Sequence, residues 1–308
     1  MLDDMNPRVS IITITRNRAV LLARCIESVQ AQTYKDYEHI IVDGASTDNT
    51  EETVLSYNDS HIRYYRMEPE RSSRRDSWLF AFATYRGEYL SFLDDDDEYL
   101  PTKLEKQVQL MDSLSNEYGM VYCWMDYYDS KSQSYISTHN PQYRGYVLSD
   151  AVEKERICGT PTLFLRRGVW EECVHSAPRS VISSDWLSGA RICKKYKVDY
   201  VPEVLVNVYV NHGYTRMSDP GYYNDVLERE IQFHKDFLEE FKDVFEAEPK
   251  RSIHHLKSMV GCFYKLGHLK EGWTYYKRLL KLEFSLKNLI RPIYGYTYYL
   301  RHGRNRQK

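Results

Sequence analysis

The sequence predicts an α/β protein in which a mostly parallel central sheet is followed by a helical C-terminal extension. Three observations predict this fold class. The first hundred residues alternate apolar, β-branched runs with segments of helical spacing, which is typical of strands joined by right-handed helical crossovers. The stretch from about 119 to 212 is rich in strand-forming runs. From about 222 onward the spacing of apolar residues is helical.

The first half of the sheet is predicted from four apolar runs, at 9–15, 37–42, 61–67 and 88–93. The first run is rich in β-branched residues, which favour strands. After it, the apolar residues from Leu22 to Val29 follow helical spacing, and Asn17 is a candidate N-cap for that helix. Further helices are predicted to start near 47–50, to cover about 76–85, and to start at Pro101.

The remaining elements are predicted in the same way. Strands are expected at 120–128, 135–138, 162–166 and 200–210, with one helix from about 184 to 196. Apolar residues on either side of Gly267 predict two helices joined as a hairpin. We therefore expect one domain over residues 1–220, with two halves at about 8–118 and about 119–220. A helical, basic extension is expected at 221–308.

The composition is that of a folded protein from a reducing compartment. The chain has 308 residues and a net charge of −2, so it can bury a substantial core. None of the six cysteines forms a C-x-x-C pair, and they are expected to be core residues, not disulfides or zinc ligands. We expect no secretory signal, and no uncharged apolar run approaches the ~18 residues of a membrane-spanning helix. These features favour a cytoplasmic location.

The charge is distributed unevenly along the chain. Residues 250–308 contain 14 Lys and Arg but only 2 Asp and Glu, whereas the preceding part is acidic. A basic amphipathic helix with Leu279 and Leu286, followed by several tyrosines, suits the surface of an anionic membrane. One expectation is therefore peripheral contact at the inner face of the cell membrane. The equal alternative is a helix that packs on the body through its leucines. Nucleic acid is not an expected partner, because no binding motif is present.

Four consecutive aspartates, Asp94 to Asp97, directly follow the apolar run at 89–93. Adjacent carboxylates repel one another unless a cation lies among them, and hard oxygen ligands suit Mg²⁺ or Mn²⁺. In open α/β sheets, ligands bind beyond the carboxyl ends of the strands. The run therefore predicts a divalent-metal site and an anionic substrate at this edge. The alternative is an acidic loop that is only solvated.

Four stretches together carry a resemblance to a known family. They are TITRN at 13–17, VDGASTDNT at 42–50, GEYLSFLDDDD at 87–97 and SSDW at 183–186. In this order and at these spacings they resemble the motifs of family 2 glycosyltransferases, over roughly residues 8–215. Ser184 stands where the family usually has Glu. The resemblance implies the GT-A fold, with a Rossmann-like nucleotide-binding sheet. It also implies that the half at about 8–118 is the nucleotide half and that the half at about 119–220 is the acceptor half.

The resemblance also implies a set of site residues. The donor nucleotide would be bound by Thr13, Thr15, Arg16, Asp43, Asp48, Arg75, Asp94 and Asp95. The metal, Mn²⁺ or Mg²⁺, would be held by Asp96 and His212, and the catalytic base would be Asp185. The donor-sugar or acceptor side would include Gly159, Trp186 and Arg216.

Several of these residues also have a structural interpretation. Thr13 equally suits the core of the sheet, and Asp43 suits a turn in which it bonds its own backbone. Asp48 and Asp185 suit helix N-caps. A lone histidine such as His212 is more often structural than a metal ligand.

Which two of the four aspartates form the D-x-D pair is also open. The pairs Asp94/Asp96 and Asp95/Asp97 both have the required spacing, and the family pattern favours the first.

The predicted function is that of an inverting, metal-dependent glycosyltransferase. It would move a sugar from a nucleotide-sugar donor, most simply a UDP-sugar, to a hydroxyl of a glycan or lipid-linked acceptor. A nucleotidyltransferase is disfavoured because 15–18 contains no glycine, and a P-loop NTPase because its motif is absent. The remaining alternative is a non-catalytic scaffold of the same fold in a membrane-associated glycan assembly.

Overall fold

The computed structural model describes residues 6–157, 159–175, 185–214 and 226–302. These residues form two compact units, and the chain contributes more than one segment to each. The first unit falls within Met1–Val147, Arg156–Ala177 and Arg191–Gly213. The second falls within Leu148–Glu155, Pro178–Ala190 and Tyr214–Lys308.

Within the described residues, the first unit contains a mixed sheet of nine strands. They are β1 Val9–Thr15, β2 Tyr37–Asp43, β3 Ile62–Arg66, β4 Tyr89–Phe92, β5 Glu98–Tyr99, β6 Tyr118–Asp129, β7 Tyr135–His139, β8 Phe164–Arg166 and β9 Lys197–Val210. Their order is β3-β2-β1-β4-β8-β6-β9-β5, and β7 pairs with β6. The pairs β3–β2, β2–β1, β1–β4 and β6–β9 are parallel, and β8 runs antiparallel to β4 and β6.

Helices connect the strands of the first unit and build the second. In chain order they are α1 Ala19–Gln30, α2 Thr50–Ser56, α3 Arg74–Thr84, α4 Lys103–Ser113, α5 Leu148–Glu153, α6 Asp185–Cys193, α7 Val226–Glu240, α8 Lys242–Ala247, α9 Ile253–Lys265, α10 Leu269–Leu282 and α11 Leu286–His302. Short helical turns lie at Pro69–Arg71, Thr160–Thr162, Glu171–His175 and Pro249–Ser252.

The parallel half of the sheet positions the aspartate run. Every residue of β2 is buried, and β1 is buried except at one position, as expected for strands covered on both faces. In the register, Thr15 of β1 lies opposite Asp43 of β2, and Ile12 lies opposite Phe92 of β4. Three carboxyl ends therefore meet at one edge, where Asp94 follows β4.

The second unit is built around a helical hairpin. Helices α9 and α10 are joined at Gly267, whose φ of +78° is readily adopted by glycine. Leu256 and Val260 of α9 pack with Tyr276 and Leu279 of α10 in one buried cluster. The hairpin predicted from the spacing on either side of Gly267 is confirmed. Within the described residues, no helix combines the length and apolarity needed to cross a bilayer.

The start of α1 differs from the expected arrangement. Asn17 is not the N-cap: Arg18 occupies that position, and Asn17 has a φ of +54°. The Asn17 side chain instead accepts the backbone N–H of Thr47 at 2.7 Å. A carboxylate oxygen of Asp48 accepts the N–H of Ala19 at 3.3 Å, so the first turn of α1 is capped from the next loop.

Candidate active site

Asp95 accepts hydrogen bonds from two side chains, one at the end of β1 and one in the turn that follows it. Thr15 Oγ1 donates to Asp95 Oδ2 at 2.8 Å, and Arg18 Nη1 donates to Asp95 Oδ1 at 2.8 Å. The side chain is almost fully buried, and this burial raises the pKa of the Asp95 carboxyl despite the opposing effect of the Arg18 charge. Asp95 therefore fixes the aspartate run to the end of β1.

Asp96 faces the end of β9. His212 Nε2 lies 2.9 Å from Asp96 Oδ2, and Arg18 Nη1 lies 3.3 Å from the same oxygen. The side chains of His212 and Asp96 are both almost inaccessible to solvent. Asn211, just before the histidine, has a φ of +62°, which turns the chain after β9. The structure thus brings together the two residues predicted to hold the metal.

The outer two aspartates have different neighbours. Asp94 is the most exposed of the four, and its Oδ1 lies 3.8 Å from a guanidinium nitrogen of Arg74. Asp97 is buried, and its Oδ1 accepts the backbone N–H of Tyr209 in β9 at 3.0 Å. Asp95 and Asp97 thus each bind a neighbouring strand or turn. Asp94 lies beside Arg74, and Asp96 lies beside His212 and beside Arg18, which also binds Asp95.

Asp43, at the end of β2, is fully buried and its two oxygens are shared among several donors. Oδ1 accepts the backbone N–H of Ser46 at 2.9 Å, which is the turn bond considered for it from the sequence. Oδ2 accepts the Tyr64 hydroxyl at 2.7 Å and lies 3.4 Å from Arg66 Nη1. Burial, with the Asp43 hydrogen bond second, raises the pKa of Tyr64. A contact of Asp43 with the nucleotide base stays a prediction.

The other predicted nucleotide contacts fall into two groups. Thr13 is fully buried, and its hydroxyl donates to the Leu93 carbonyl at 2.8 Å, so it serves the core in this structure. Asp48 accepts the N–H groups of Ala19 and Thr50 and thereby caps two helices. Arg16 and Arg75 are exposed side chains.

Two arginines that sequence reasoning missed lie at the site. Arg18 bridges Asp95 and Asp96, and Arg74 faces Asp94 where Arg75 was expected to serve. Because α3 begins at Arg74, adjacent arginines point in directions that differ by about 100°. The signal for Arg18 was its place three residues after the end of β1, among backbone N–H groups that start a helix.

The residues assigned to the sugar and acceptor side lie in both units. Gly159, in the first, precedes a helical turn and its carbonyl accepts the Thr162 N–H at 3.0 Å. Asp185, in the second, is the exposed first residue of α6. Trp186 donates from Nε1 to the Ala151 carbonyl at 2.6 Å, and its ring stacks on His255 at 4.9 Å. Arg216 lies outside the described residues.

The donor atoms at the site fit a divalent ion that takes its remaining ligands from a bound substrate and water. In the described ranges, no group of three or more His, Cys, Asp or Glu could hold a metal ion. Asp96 and His212 nevertheless converge, and Mg²⁺ or Mn²⁺ often binds one or two carboxylates and takes its other ligands from water and substrate phosphates. The Arg18 guanidinium places a positive charge beside Asp96.

Comparison with known proteins agrees with this geometry. The sequence model described as "Glycosyl transferase family 2" matches residues 10–173, more than half of the chain. The chain belongs to glycosyl transferase family 2. The matched segment begins in β1 and includes β2, β4 and the aspartate run, so the family resemblance of the first three motifs is confirmed. The fourth motif, at 183–186, lies beyond the matched residues.

Relatives of this glycosyltransferase family member include bacterial and archaeal proteins. An uncharacterized glycosyltransferase of Rickettsia typhi is 37% identical over 129 residues, covering 42% of this chain and 40% of its own length. An Escherichia coli protein named UDP-Glc:alpha-D-GlcNAc-diphosphoundecaprenol beta-1,3-glucosyltransferase WfgD is 33% identical over 117 residues, covering 37% of this chain and 44% of its own length. The chain thus spans about two fifths of the length of these curated relatives.

Solved glycosyltransferase structures share the fold. Staphylococcus aureus TarS 1-349 in complex with UDP-GlcNAc superimposes with a TM-score of 0.63 at 15% identity, covering 97% of this chain and 92% of TarS 1-349. The mannosyltransferase PcManGT of Pyrobaculum calidifontis, in complex with GDP-Man and Mn²⁺, gives 0.56 at 18% identity, covering 96% and 81%. The predicted fold class, a GT-A sheet with a helical C-terminal region, is confirmed.

Proposed function

We propose that this family 2 glycosyltransferase moves a sugar, with inversion, from a UDP-sugar to a hydroxyl of a lipid-linked or other glycan acceptor. The observation that carries the proposal is the convergence of Asp96, His212 and Arg18 beyond the carboxyl ends of β1 and β4. This is where open α/β sheets bind ligands. A UDP-sugar in TarS and a lipid diphosphate acceptor in the name of WfgD support the donor and acceptor classes.

Asp96 and His212 are the residues proposed to hold Mn²⁺ or Mg²⁺. When bound, the ion neutralises charge that develops on the leaving diphosphate. The binding of Mn²⁺ by PcManGT supports a metal in this fold. Because the chain supplies few ligands itself, we expect tight metal binding only when the donor's phosphates are present.

Each of the surrounding residues is proposed to have a different role in binding the donor. Asp94 is the most exposed of the four carboxylates and is proposed to accept hydrogen bonds from the ribose. Arg74, 3.8 Å from Asp94, carries a positive charge suited to the diphosphate. Thr15 and Arg18 hold Asp95 and so keep the run in place.

Asp185 is proposed as the general base. It would take the proton of the acceptor hydroxyl as that oxygen bonds to the anomeric carbon, while the bond from that carbon to the diphosphate oxygen breaks. The released diphosphate carries the electron pair away. Asp185 is the exposed first residue of α6, so its carboxylate is accessible to an acceptor hydroxyl, which supports this role. The reaction would take place at the cytoplasmic face of the membrane, where a lipid-linked acceptor is available.

The proposal is tested with Asp96→Asn and Asp185→Asn, with Asp243→Asn, an exposed aspartate of α8, as the matched control. UDP release and product formation would be followed with a panel of UDP- and GDP-sugars, Mn²⁺, and an undecaprenyl-diphosphate glycan. We expect Asp185→Asn to lower kcat by about 10²–10⁴. Asp96→Asn should abolish the dependence of UDP affinity on Mn²⁺, and the control should behave as wild type.

Two results would contradict the proposal. One is full activity of either variant. The other is a folded protein that neither binds UDP with Mn²⁺ nor releases it from any donor, which would favour a non-catalytic scaffold. Thermal unfolding of each variant would show that a loss of activity is not a loss of fold, since a ligand that binds only the folded form raises its melting temperature.

A further inference from the structure

Helix α11 carries an apolar stripe on its solvent side. Positions i, i+3, i+4, i+7 and i+14 of a helix share one face, and in α11 these are the stripe residues Leu286, Leu289, Ile290, Ile293 and Leu300. All are exposed, with Leu286 at 77% and Ile293 at 62% relative accessibility. In an ordinary amphipathic helix of a soluble protein, such a face would be turned toward the core.

The opposite face of α11 is fixed against α9, so the stripe cannot turn inward without dismantling the helical unit. A Cβ atom added at Gly295 would lie 2.6 Å from Cβ of Tyr264, which shows how closely the two helices approach. Asn288 is buried and its side-chain amide donates to the Glu283 carbonyl at 2.9 Å. The arrangement of α11 is therefore specified by packing on its inner side.

Basic side chains accompany the stripe. Lys287 and Arg301 each follow a stripe residue by one position and are exposed, as is Lys281 at the end of α10. Phe284, between the two helices, has 76% of its surface accessible. The whole segment from 250 to 308 has 14 Lys and Arg against 2 Asp and Glu.

We propose that the α11 stripe docks on a bilayer that contains anionic phospholipids. The stripe residues enter the boundary between head groups and acyl chains, and Lys281, Lys287 and Arg301 bind lipid phosphates. An apolar face beside basic residues is the arrangement of helices that lie in the membrane interface. A second copy of the chain is a poorer occupant, because a two-fold contact through α11 would bring its basic residues against their equivalents. The inference does not depend on the proposed reaction.

The test is co-sedimentation of the full chain with vesicles of phosphatidylcholine, with or without about one third phosphatidylglycerol. We expect binding only to the anionic vesicles and weakening at high salt. Leu286→Ser with Ile293→Ser should lower the partition coefficient on the order of a hundredfold. Lys281→Gln with Lys287→Gln should lower it about fivefold for each charge removed.

Matched controls replace equally exposed residues of the first unit. Val20→Ser with Ile136→Ser removes two apolar side chains that are 74% and 50% exposed, and Lys131→Gln removes an exposed charge. These variants should bind vesicles as wild type does. The proposal is overturned if wild type does not bind anionic vesicles, or if the stripe variant binds them equally well. It is also overturned if wild type is a dimer that the stripe substitutions make monomeric, since that assigns the stripe to self-association.

Discussion

Lys103 lies behind the strand that carries the aspartate run and is fully buried. Its Nζ donates to Ser91 Oγ at 3.0 Å and to Gln107 Oε1 at 2.8 Å, and it lies 3.9 Å from the centre of the Tyr99 ring. Both acceptors are neutral. Loss of hydration on burial lowers the pKa of Lys103 from 10.5 to about 7.

This depressed pKa makes the stability of the protein depend on pH in a defined direction. Between pH 7 and 10.5 the unfolded chain binds a proton at Lys103 that the folded protein does not, so the free energy of unfolding rises with pH. At about 1.36 kcal/mol for each unit of pKa difference, the full effect is about 5 kcal/mol. Between pH 8 and 10 the gain from this group is about 2.5 kcal/mol.

Lys103→Met removes the titrating group and keeps an unbranched apolar chain in its place. Urea unfolding at pH 8 and pH 10 would give the free energy of unfolding of both proteins. We expect the stability of wild type relative to Lys103→Met to rise by about 2.5 kcal/mol between the two pH values. Lys131→Met, at an exposed position, should follow wild type. A wild-type-to-variant difference that is the same at both pH values, within about 0.5 kcal/mol, would refute the reasoning.

Two further predictions concern the frame of the sheet. Gly87→Ala should lower the free energy of unfolding by about 1–3 kcal/mol, because a Cβ there would lie 2.5 Å from the backbone nitrogen of Ser10. Gly261→Ala is the control, since a Cβ at this position of α9 would meet open space. It should raise the free energy of unfolding by about 1 kcal/mol in the same urea titration. Glu38→Gln should cost about 3 kcal/mol at pH 7, since Glu38 is buried and accepts from Arg63 at 2.6 Å. Burial opposes ionisation of Glu38, but its hydrogen bonds and ion pairs outweigh that and lower its pKa, so this stability is present above the unfolded pKa and lost as pH falls through the folded one. The Glu38 prediction would be contradicted if Glu38→Gln lowered the free energy of unfolding by the same amount at pH 7 and pH 3. The Gly87 prediction would be contradicted if Gly87→Ala were as stable as wild type.

The strands next to the site could be predicted well because each of them contains an apolar, buried run. Strand β1 has the predicted bounds, and β2 and β4 differ from the predicted runs by one or two residues at their ends. Strand β5 is two residues long and depends on pairing with β9, and α5 is a six-residue helix in a polar stretch. Neither has enough periodicity to be recognised from the sequence.

The candidate site could be predicted only in its position and main residues. The aspartate run after β4 and the histidine after β9 were found, because strand ends are readable from apolar runs. The directions of the four carboxylates were not, since they depend on partners far along the chain, such as Tyr209 for Asp97. The contact of Arg18 with Asp95 and Asp96 likewise depends on a turn in which Asn17 has positive φ.

The helical unit takes its core from three separate parts of the chain. Trp186 stacks on His255 and bonds to Ala151, and Arg251 pairs with Asp150 at 2.9 Å and with Glu153 at 2.6 Å. A protein truncated near residue 220 would keep Trp186 without His255, and Asp150 and Glu153 without Arg251. The C-terminal helices therefore cannot be exchanged between relatives as a cassette, and any chimera has to carry the 148–155 and 185–190 segments along with them.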